Sequence, residues 1–412
     1  MRKFSLLTLI IAVLAIVLYG QDTAQAEPKV KLELVWEKEF EGMISDYIVE
    51  TDEMGEALLN VVSFLKDNEK KAEVYFLNFK GLAIKKTSVE LIRLKLEPET
   101  GGDVYGGVLI SKNGKYIGLF QVTKRDPERI REISFHLYDK TGNLLWTKAS
   151  WNVRPSMLLS DGSILSFEGE PCTWSLFALY EKDILRGWLK PNDGEPMEVT
   201  GAFDASENNN IVFNVYDFIK KEGQVVLYDN TAKEIWRRKF TNWTTASKVC
   251  ISDDGRIIAA RGGFANILYT FSNDGTLLWQ KHIGVGDLQI FSSDGSYLAA
   301  SGPSNRIYYL RATTGDSLWA FIVKDNRSFF SIAVSNNGEF VAAADGGGRR
   351  EFPSGDTSTI YLFDKKGNIV WQKDLKIEKE RAPNVRFTDD GKYLIICNSN
   401  KIFCYRISGG GR

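Results

Sequence analysis

The residues best suited to acid–base or metal chemistry are few in this sequence and stand apart. The only histidines are His136, in an alternating run typical of a β-strand, and His282, just past a strand tryptophan. A Ser-His-Asp triad or a histidine-built zinc site would have to use one of these single residues. No G-x-S-x-G elbow, phosphate-binding loop, H-E-x-x-H or EF-hand loop occurs. The sequence therefore predicts no catalytic residue, no metal site and no cofactor.

Carboxylates are numerous, but many stand at recurrent turn positions. Examples are Asp139, Asp161, Asp254, Asp294, Asp364 and Asp390. An aspartate in such a turn accepts hydrogen bonds from the turn amides, so we interpret these residues as structural. Acidic residues brought together from distant segments, as in a glycosidase or a lyase, leave no linear pattern and remain an alternative.

The first 26 residues have the pattern of a secretory signal peptide. Arg2 and Lys3 precede the apolar run Leu6–Tyr19, and Ala24–Ala26 supplies a small-x-small cleavage site. The apolar run is short for a membrane span. We predict a secreted or periplasmic mature chain, residues 27–412, without a stable membrane span; an uncleaved anchor is the alternative. No cysteine near the cleavage site offers a lipid attachment point.

The four cysteines, Cys172, Cys250, Cys397 and Cys404, would then meet an oxidising compartment. Cys397 and Cys404 flank a tight turn and could face each other across one hairpin. Free buried thiols that pack as small apolar residues are the favoured interpretation. No pair has the C-x-x-C spacing of a redox or zinc site.

The composition indicates a chain that can bury a large core but has no excess of positive charge. Hydrophobic residues make up 43% and charged residues 25%, and the net charge is −1. A nucleic-acid-binding surface needs clustered positive charge, so we predict no nucleic-acid partner.

The clearest signal is a repeat. The turns Ser252–Gly255, Ser292–Gly295 and Ser335–Gly338 each lead into an apolar strand with paired alanines. A second alternating run, a glycine turn and a tryptophan follow, as in Gly275 with Trp279. A period of about 40 to 50 residues with two hairpins is typical of a β-propeller blade.

A spacing template of turn residue, Gly three later and Trp four after that identifies seven units. Asp139–Trp146, Ser272–Trp279, Ala312–Trp319 and Asp364–Trp371 fit fully; Asp229–Trp236 has Ala232 for Gly; Glu181–Trp188 keeps only the spacing; and Asn78–Lys85 lacks the Trp. An eighth unit near the C-terminus lacks its last strand. The N-terminal segment of about 32–40, which contains Trp36, has the composition of that missing strand.

We therefore predict an all-β, single-domain, eight-bladed β-propeller of four-stranded antiparallel blades. The N-terminal strand joins the last blade and closes the ring, which removes open sheet edges. The strands of each blade are labelled A to D. The recurrent tryptophans, at a periodic position on the blade face, are predicted to be structural.

The second-hairpin pattern, best seen in Tyr361–Trp371, resembles the repeat of the quinoprotein-like eight-bladed propellers. That family includes pyrroloquinoline-quinone alcohol dehydrogenases and non-enzymatic relatives such as the outer-membrane assembly propeller. The first-hairpin pattern is similar to WD40-like repeats. The resemblance implies the scaffold alone, because the quinone enzymes use two adjacent cysteines that this sequence lacks, and the assembly propeller carries a lipid-anchored cysteine.

The connections between blades remain as candidate binding residues. The B–C and D–A connections lie at one end of a propeller, and two B–C connections are long: Lys124–Arg129 and Asp345–Pro353. Arginines and aromatic residues outside the tryptophan period suit recognition of a protein or glycan. The predicted partner-binding rim comprises Arg125, Arg129, Trp151, Trp243, Arg349, Arg350 and Phe352.

The sequence thus favours an exported, non-catalytic propeller that binds a protein or cell-envelope/glycan partner. The alternative is a propeller enzyme, either a quinone-type dehydrogenase or a carbohydrate-active hydrolase or lyase, with its site at the central channel.

Overall fold

All regular elements of the computed structural model are β-strands. The structure describes residues 30–40, 43–51, 57–64, 71–77, 83–90, 92–93, 104–126, 129–151, 153–167, 176–191, 199–217, 219–241, 243, 246–262, 267–284, 286, 288–302, 305–323, 327–346, 357–377, 382–388 and 390–409. Across these ranges we find no helix with the length and apolar character needed to cross a membrane. The predicted signal peptide lies outside them.

The strands of these ranges form eight antiparallel sheets, the blades. The N-terminal strand is β1 (Lys31–Glu39). Blade 1 contains β2 (Met43–Thr51), β3 (Ala57–Phe64), β4 (Lys71–Leu77) and β5 (Ala83–Glu90). Blade 2 contains β6 (Ile92–Arg93), β7 (Val104–Ile110), β8 (Tyr116–Asp126), β9 (Arg129–Asp139) and β10 (Leu144–Trp151).

Blades 3 to 5 have four strands each. Blade 3 contains β11 (Arg154–Leu158), β12 (Ile164–Phe167), β13 (Phe177–Glu181) and β14 (Ile184–Leu189). Blade 4 contains β15 (Val199–Ala205), β16 (Ile211–Asp217), β17 (Glu222–Tyr228) and β18 (Glu234–Phe240). Blade 5 contains β19 (Ala246–Ile251), β20 (Ile257–Gly262), β21 (Ile267–Ser272) and β22 (Leu277–His282).

The last three blades also have four strands each. Blade 6 contains β23 (Gln289–Phe291), β24 (Tyr297–Ser301), β25 (Arg306–Arg311) and β26 (Ser317–Ile322). Blade 7 contains β27 (Ser328–Val334), β28 (Phe340–Gly346), β29 (Thr357–Asp364) and β30 (Ile369–Lys376). Blade 8 contains β31 (Asn384–Phe387), β32 (Tyr393–Asn398) and β33 (Lys401–Ser408), with β1 as its fourth strand.

Blade 8 confirms the predicted closure by the N-terminal strand. β1 pairs antiparallel with β33, placing Trp36 opposite Cys404 and Lys38 opposite Ile402. The two ends of the chain are therefore hydrogen-bonded in one sheet. An open array would leave β33 as an exposed edge, and β1 covers that edge.

Strand order within each blade gives the ring two distinct ends. Because consecutive strands are antiparallel, the A–B and C–D turns lie at one end, which we call the turn end. The B–C and D–A connections lie at the other, which we call the loop end. Strand A lies nearest the axis of the ring and strand D farthest from it; in blade 2 strands A to D are β7 to β10, and β6 pairs beside β7 as an additional strand.

The core lies between neighbouring blades. Strand B is buried on both faces in β16, β20 and β32, so their side chains pack against the blades on either side. One such layer joins blades 6 and 7 through Tyr309, Val341 and Phe363, all fully buried. The small alanines of strand B allow this close approach.

The A–B turns have the predicted chemistry. In blade 5 the Ser252 hydroxyl donates to Asp254 at 2.7 Å, and the Ile257 amide donates back to that hydroxyl at 3.0 Å. Gly255 follows with a φ of 73°. Burial opposes ionisation of Asp254, but its hydrogen bonds from Ser252 and Arg256 lower the pKa of the carboxyl.

Tryptophans of several outer strands pack against a turn of the following blade. A Cβ on Gly275 would lie 2.9 Å from the ring of Trp236, and one on Gly315 would lie 2.7 Å from the ring of Trp279. The Trp279 indole N–H donates to the carbonyl of Ala312 at 2.7 Å. At these interfaces, and between Gly367 and Trp319, the turn glycine of the following blade makes room for the ring, and the structural role of Trp236, Trp279 and Trp319 is confirmed.

Blade 3 departs from the spacing template. A β-bulge precedes the tryptophan position of every outer strand, and in blade 3 the residue after the bulge is Gly187, opposite Leu179. Trp188 follows one residue later and is 45% exposed. The template placed Trp188 at the structural position, which is wrong, because the two-residue turn at Lys182 and Asp183 shifts the register.

The three described cysteines, Cys250, Cys397 and Cys404, are buried and form no disulfide. Cys397 stands opposite Ile402, and Cys404 stands opposite Ile395, so the two are not a directly facing pair. Burial raises the pKa of the Cys404 thiol to about 12. Cys172 lies outside the described residues.

Candidate functional site

The innermost strands enclose a central cavity of about 580 Å³. Strands β15, β19, β23, β27 and β31 contribute to its wall, and so does Lys112 from the A–B turn of blade 2. Apolar side chains such as Ile290 and Ile332 line it together with polar ones such as Gln289 and Ser331. Such a cavity on the axis of a ring is a usual place for binding.

A three-residue ion cluster occupies the turn end of this cavity. The Lys112 ammonium lies 3.0 Å from an oxygen of Asp253 and 3.7 Å from an oxygen of Asp204. It also donates to the carbonyl of Ile251 at 2.8 Å. Lys112 thus reaches from blade 2 to blades 4 and 5, passing over blade 3.

The charges in this cluster compensate one another. Burial by itself would lower the pKa of Lys112, but the carboxylates of Asp204 and Asp253 outweigh it and raise the pKa. Burial raises the pKa of Asp204, against the opposing effects of Lys112 and of the Ile251 amide, which donates to Asp204 at 2.9 Å. Lys112 therefore stays charged and holds both carboxylates.

We expect Lys112→Met to lower the free energy of unfolding by about 2 kcal/mol, because it leaves two partly buried carboxylates without their cation. Urea unfolding at pH 7 measures this change. The loss should shrink as the pH falls towards 4, since Asp204, with its raised pKa, then takes up a proton. Lys115→Met, which removes the other lysine of the same turn, is the control. Equal losses in both variants would contradict the structural role of Lys112.

The histidines lie apart from the cavity. The His136 ring nitrogen Nδ1 lies 3.0 Å from the Thr147 hydroxyl on the neighbouring strand, and burial lowers the pKa of this histidine. His282 is exposed at the end of β22. Within the described ranges no three His, Cys, Asp or Glu side chains come together as a metal-binding group.

At the loop end, a buried carboxylate holds the base of the blade 7 connection. Asp345 has no exposed side-chain surface and accepts hydrogen bonds from Arg327 at 2.6 Å and from the Thr359 amide at 2.7 Å. The Tyr361 hydroxyl donates to it at 3.0 Å. Burial and the nearby Asp345 raise the pKa of Tyr361 to about 12, so this hydroxyl remains a donor.

This arrangement corrects the predicted loop bounds. Asp345 was assigned to a long B–C loop but belongs to β28, and its side chain is part of the blade. The predicted loop Lys124–Arg129 is also largely strand, since β8 runs to Asp126 and β9 begins at Arg129. The hairpin is longer than those of the other blades because these residues continue its ladder, with Asp126 paired to Arg129.

The structure describes four of the seven predicted rim residues. Arg125 and Arg129 lie near the tip of the β8–β9 hairpin, at the loop end, with Arg125 opposite Ile130. Arg349, Arg350 and Phe352 lie outside the described residues.

The two tryptophans of the predicted rim are buried, and the prediction that they offer aromatic surface to a partner is corrected here. Trp151 is 7% exposed, with its ring 5.3 Å from that of Tyr180. Trp243 is 2% exposed and stacks on Phe240 at 4.4 Å. A D–A connection crosses from the outside of one blade to the inside of the next, so its aromatic residues fill the gap between the two blades.

Sequence reasoning missed the Lys112 cluster and the Asp345 network. Both join residues from separate strands or blades, and Lys112 occupies a variable turn position. The one signal was the turn motif itself, which places Lys112 and Asp253 at the same position in two blades.

A closed ring of eight blades around a central cavity defines a β-propeller; seven blades have the predicted four strands, and blade 2 has a fifth, the two-residue β6. The sequence profile of the family described as Outer membrane protein assembly factor BamB (PQQ_2) matches residues 134–320 and 264–412. These matches span more than half of the chain, and the chain belongs to this family.

Two solved structures are similar in fold. BamB from Moraxella catarrhalis superimposes with a TM-score of 0.57 at 11% identity, covering 91% of this chain and 100% of that one. The C-terminal WD40 domain of Sif2 gives a TM-score of 0.57 at 12% identity, covering 92% of this chain and 98% of that one. At such identities the likeness shows the fold alone. No curated protein matches the sequence significantly.

Proposed function

We propose that this protein is an exported, non-catalytic scaffold that binds a protein partner in the cell envelope. The observation that carries this proposal is membership of the family described as an outer membrane protein assembly factor. The N-terminal pattern of residues 1–26 supports an extracytoplasmic location.

The chemistry of the central cavity supports a binding role over catalysis. General acid–base catalysis needs a carboxylate that is free to exchange a proton with a substrate. Asp204 and Asp253 instead form ion pairs with Lys112, and Asp204 also accepts a hydrogen bond from the Ile251 amide. These acidic groups serve to join blades 2, 4 and 5.

We place the partner contact at the loop end, on blades 2 and 7. The arginines Arg125, Arg129, Arg349 and Arg350, together with Phe352, form the proposed contact set. The Asp345–Arg327 pair gives the blade 7 connection a rigid base. Arginine and aromatic side chains on a rigid support are frequent centres of binding energy.

Charge reversal tests this contact. We change the four arginines to glutamate and crosslink the protein in the native envelope fraction. We expect the amount of partner recovered with this variant to fall at least ten-fold. The control changes Lys115 and Lys366 to glutamate; both are exposed, in the same two blades, at the turn end. Unchanged recovery in the arginine variant, or equal loss in the control, would place the contact elsewhere. Mature protein beginning at Glu27 in the extracytoplasmic fraction is the expected result for export.

A further inference from the structure

Among the described strands, the outermost strand of each blade is hydrogen-bonded to a neighbour on one side only, and most of these strands carry charged side chains. Six of the outer strands carry at least one lysine: β1, β5, β10, β18, β22 and β30. Lysine on an edge strand prevents pairing with another chain. The exceptions are β14 and β26.

Of these two, β14 exposes three large apolar side chains, whereas β26 exposes one, Ile322, at 47%. Ile184 is 67% exposed, Leu185 is 40% exposed and Trp188 is 45% exposed. Trp188 is the only exposed tryptophan in the part of the chain that the structure describes. In β26, by contrast, Trp319 packs on Gly367 of the next blade.

The single charge on β14 is already engaged. The Arg186 guanidinium lies 3.0 Å from Asp161 and 3.1 Å from Glu181, both in its own blade. Arg186 is therefore already paired within its own blade, unlike an unpaired edge lysine that would oppose pairing with another chain.

Two of the exposed side chains lie on one face. Leu185 pairs with Tyr180 and Trp188 pairs with Ala178, and these partners are two residues apart on β13. Residues two apart on a strand share a face, so Leu185 and Trp188 do too. A strand added beside β14 could pack alternate side chains against both.

Exposed basic side chains bracket this edge. Lys182 stands in the turn before β14, and Lys190 follows the strand. A second copy pairing antiparallel across the centre of β14 would bring the Lys182–Asp183 turn of one copy beside Lys190 of the other. Asp183 is already paired with Lys148 at 2.8 Å, so Lys182 and Lys190 would approach as like charges, which is unfavourable. A segment with acidic ends would meet a complementary charge at each end.

We propose that the outer edge of β14 binds an extended segment of a partner protein, with alternating apolar side chains and acidic residues at both ends. The segment adds as a fifth strand to blade 3: its backbone pairs with the free edge of β14, and its apolar side chains cover Leu185 and Trp188. This surface is separate from the loop-end contact and does not depend on it.

Synthetic nine-residue peptides test this proposal directly. The probe has alternating valines and threonines between two aspartates at each end; the comparison peptide has lysines instead of the aspartates. We expect the acidic-ended peptide to bind, measured by fluorescence anisotropy, at least ten-fold more tightly than the basic-ended one. Amide exchange of β14 should slow at least ten-fold in its presence.

Matched variants locate the site. Leu185→Lys with Trp188→Lys should weaken binding at least ten-fold. Leu277→Lys with Ile369→Lys, on the outer strands of blades 5 and 7, should leave it unchanged; these side chains are 46% and 42% exposed. Thermal melts check that both variants fold.

Three results would overturn the proposal: no binding of the acidic-ended peptide at millimolar concentration, equal loss in both variants, or slowed exchange at strands other than β14. A dimer in analytical ultracentrifugation that Trp188→Lys dissociates would assign the edge to a second copy instead. The arginine variants of the loop end should bind the peptide normally, so the two proposals fail separately.

Discussion

A chain without residues 27–39 is expected to lose its stable fold, with a fall in the free energy of unfolding of more than about 5 kcal/mol, comparable to the whole stability of a domain. The deletion removes β1, whose ladder with β33 runs from Lys31 opposite Ser408 to Glu39 opposite Lys401. It also removes Trp36 from the core around Ile395 and Cys404. Thermal melts followed by circular dichroism measure the effect.

Circular permutation provides the control. Lys31 lies opposite Ser408, so a short glycine turn can join the end of β33 to the start of β1. The permuted chain begins near Met43 and carries β1 at its C-terminus, which gives blade 8 the C–D hairpin of the other blades. We expect it to recover the wild-type melting temperature, whereas a scrambled β1 in the same position should not. A deletion variant that melts like the full chain would contradict closure by β1.

The second large effect is expected for Gly367→Ala, which should cost about 3 to 4 kcal/mol. Two penalties add at this turn. Gly367 has a φ of 86°, a left-handed conformation that is strained by about 1–2 kcal/mol for other residues. A Cβ there would also lie 2.7 Å from the ring of Trp319, and relieving such overpacking costs about 1–3 kcal/mol. Denaturant unfolding measures the sum.

Gly162→Ala separates the two penalties. Gly162 has a φ of 85°, but the nearest atom to its Cβ position is in Tyr116 at 3.5 Å, an ordinary contact. We expect this variant to show the backbone strain alone, about 1–2 kcal/mol. Trp319→Ala should reduce the additional cost of Gly367→Ala in a double-mutant cycle. Equal costs at the two glycines would refute the contact between turn and ring.

The fold was predictable from the sequence because each blade is built from local signals. The Ser-x-Asp-Gly turn of blade 5 and the alternating runs on either side of it specify a hairpin without reference to distant residues. The strand around Trp36 could be assigned to blade 8 because the C-terminal blade lacked its fourth strand and the N-terminal strand belonged to no other blade.

The candidate binding residues were less predictable. Trp151 and Trp243 stand outside the tryptophan period, and that irregularity suggested exposed recognition residues. They are buried because a D–A connection packs into the space between two blades. A period describes positions along the chain, whereas burial depends on which neighbouring blade covers the position.

The interface of blades 3 and 4 shows the same limit. The template found two separate anomalies, a missing glycine near Trp188 and Ala232 in place of glycine in the next blade. The two anomalies compensate for each other: Gly187, without a side chain, occupies the tryptophan position of blade 3, and this leaves room for the methyl group of Ala232. A Cβ on Gly187 would lie 2.7 Å from the Cβ of Ala232. Where the ring is absent, the facing turn can carry a methyl group, and it does so with a φ of 66°.

By itself the sequence determined the repeat, the turns and the number of blades, because these depend on hydrogen bonds and side-chain alternation within about forty residues. Only the tertiary structure decided which side chains meet between blades, which tryptophans are covered, and that Lys112 joins Asp204 and Asp253 across the cavity. Those outcomes depend on how the sheets pack around the ring, where residues more than ninety positions apart come within 4 Å of each other.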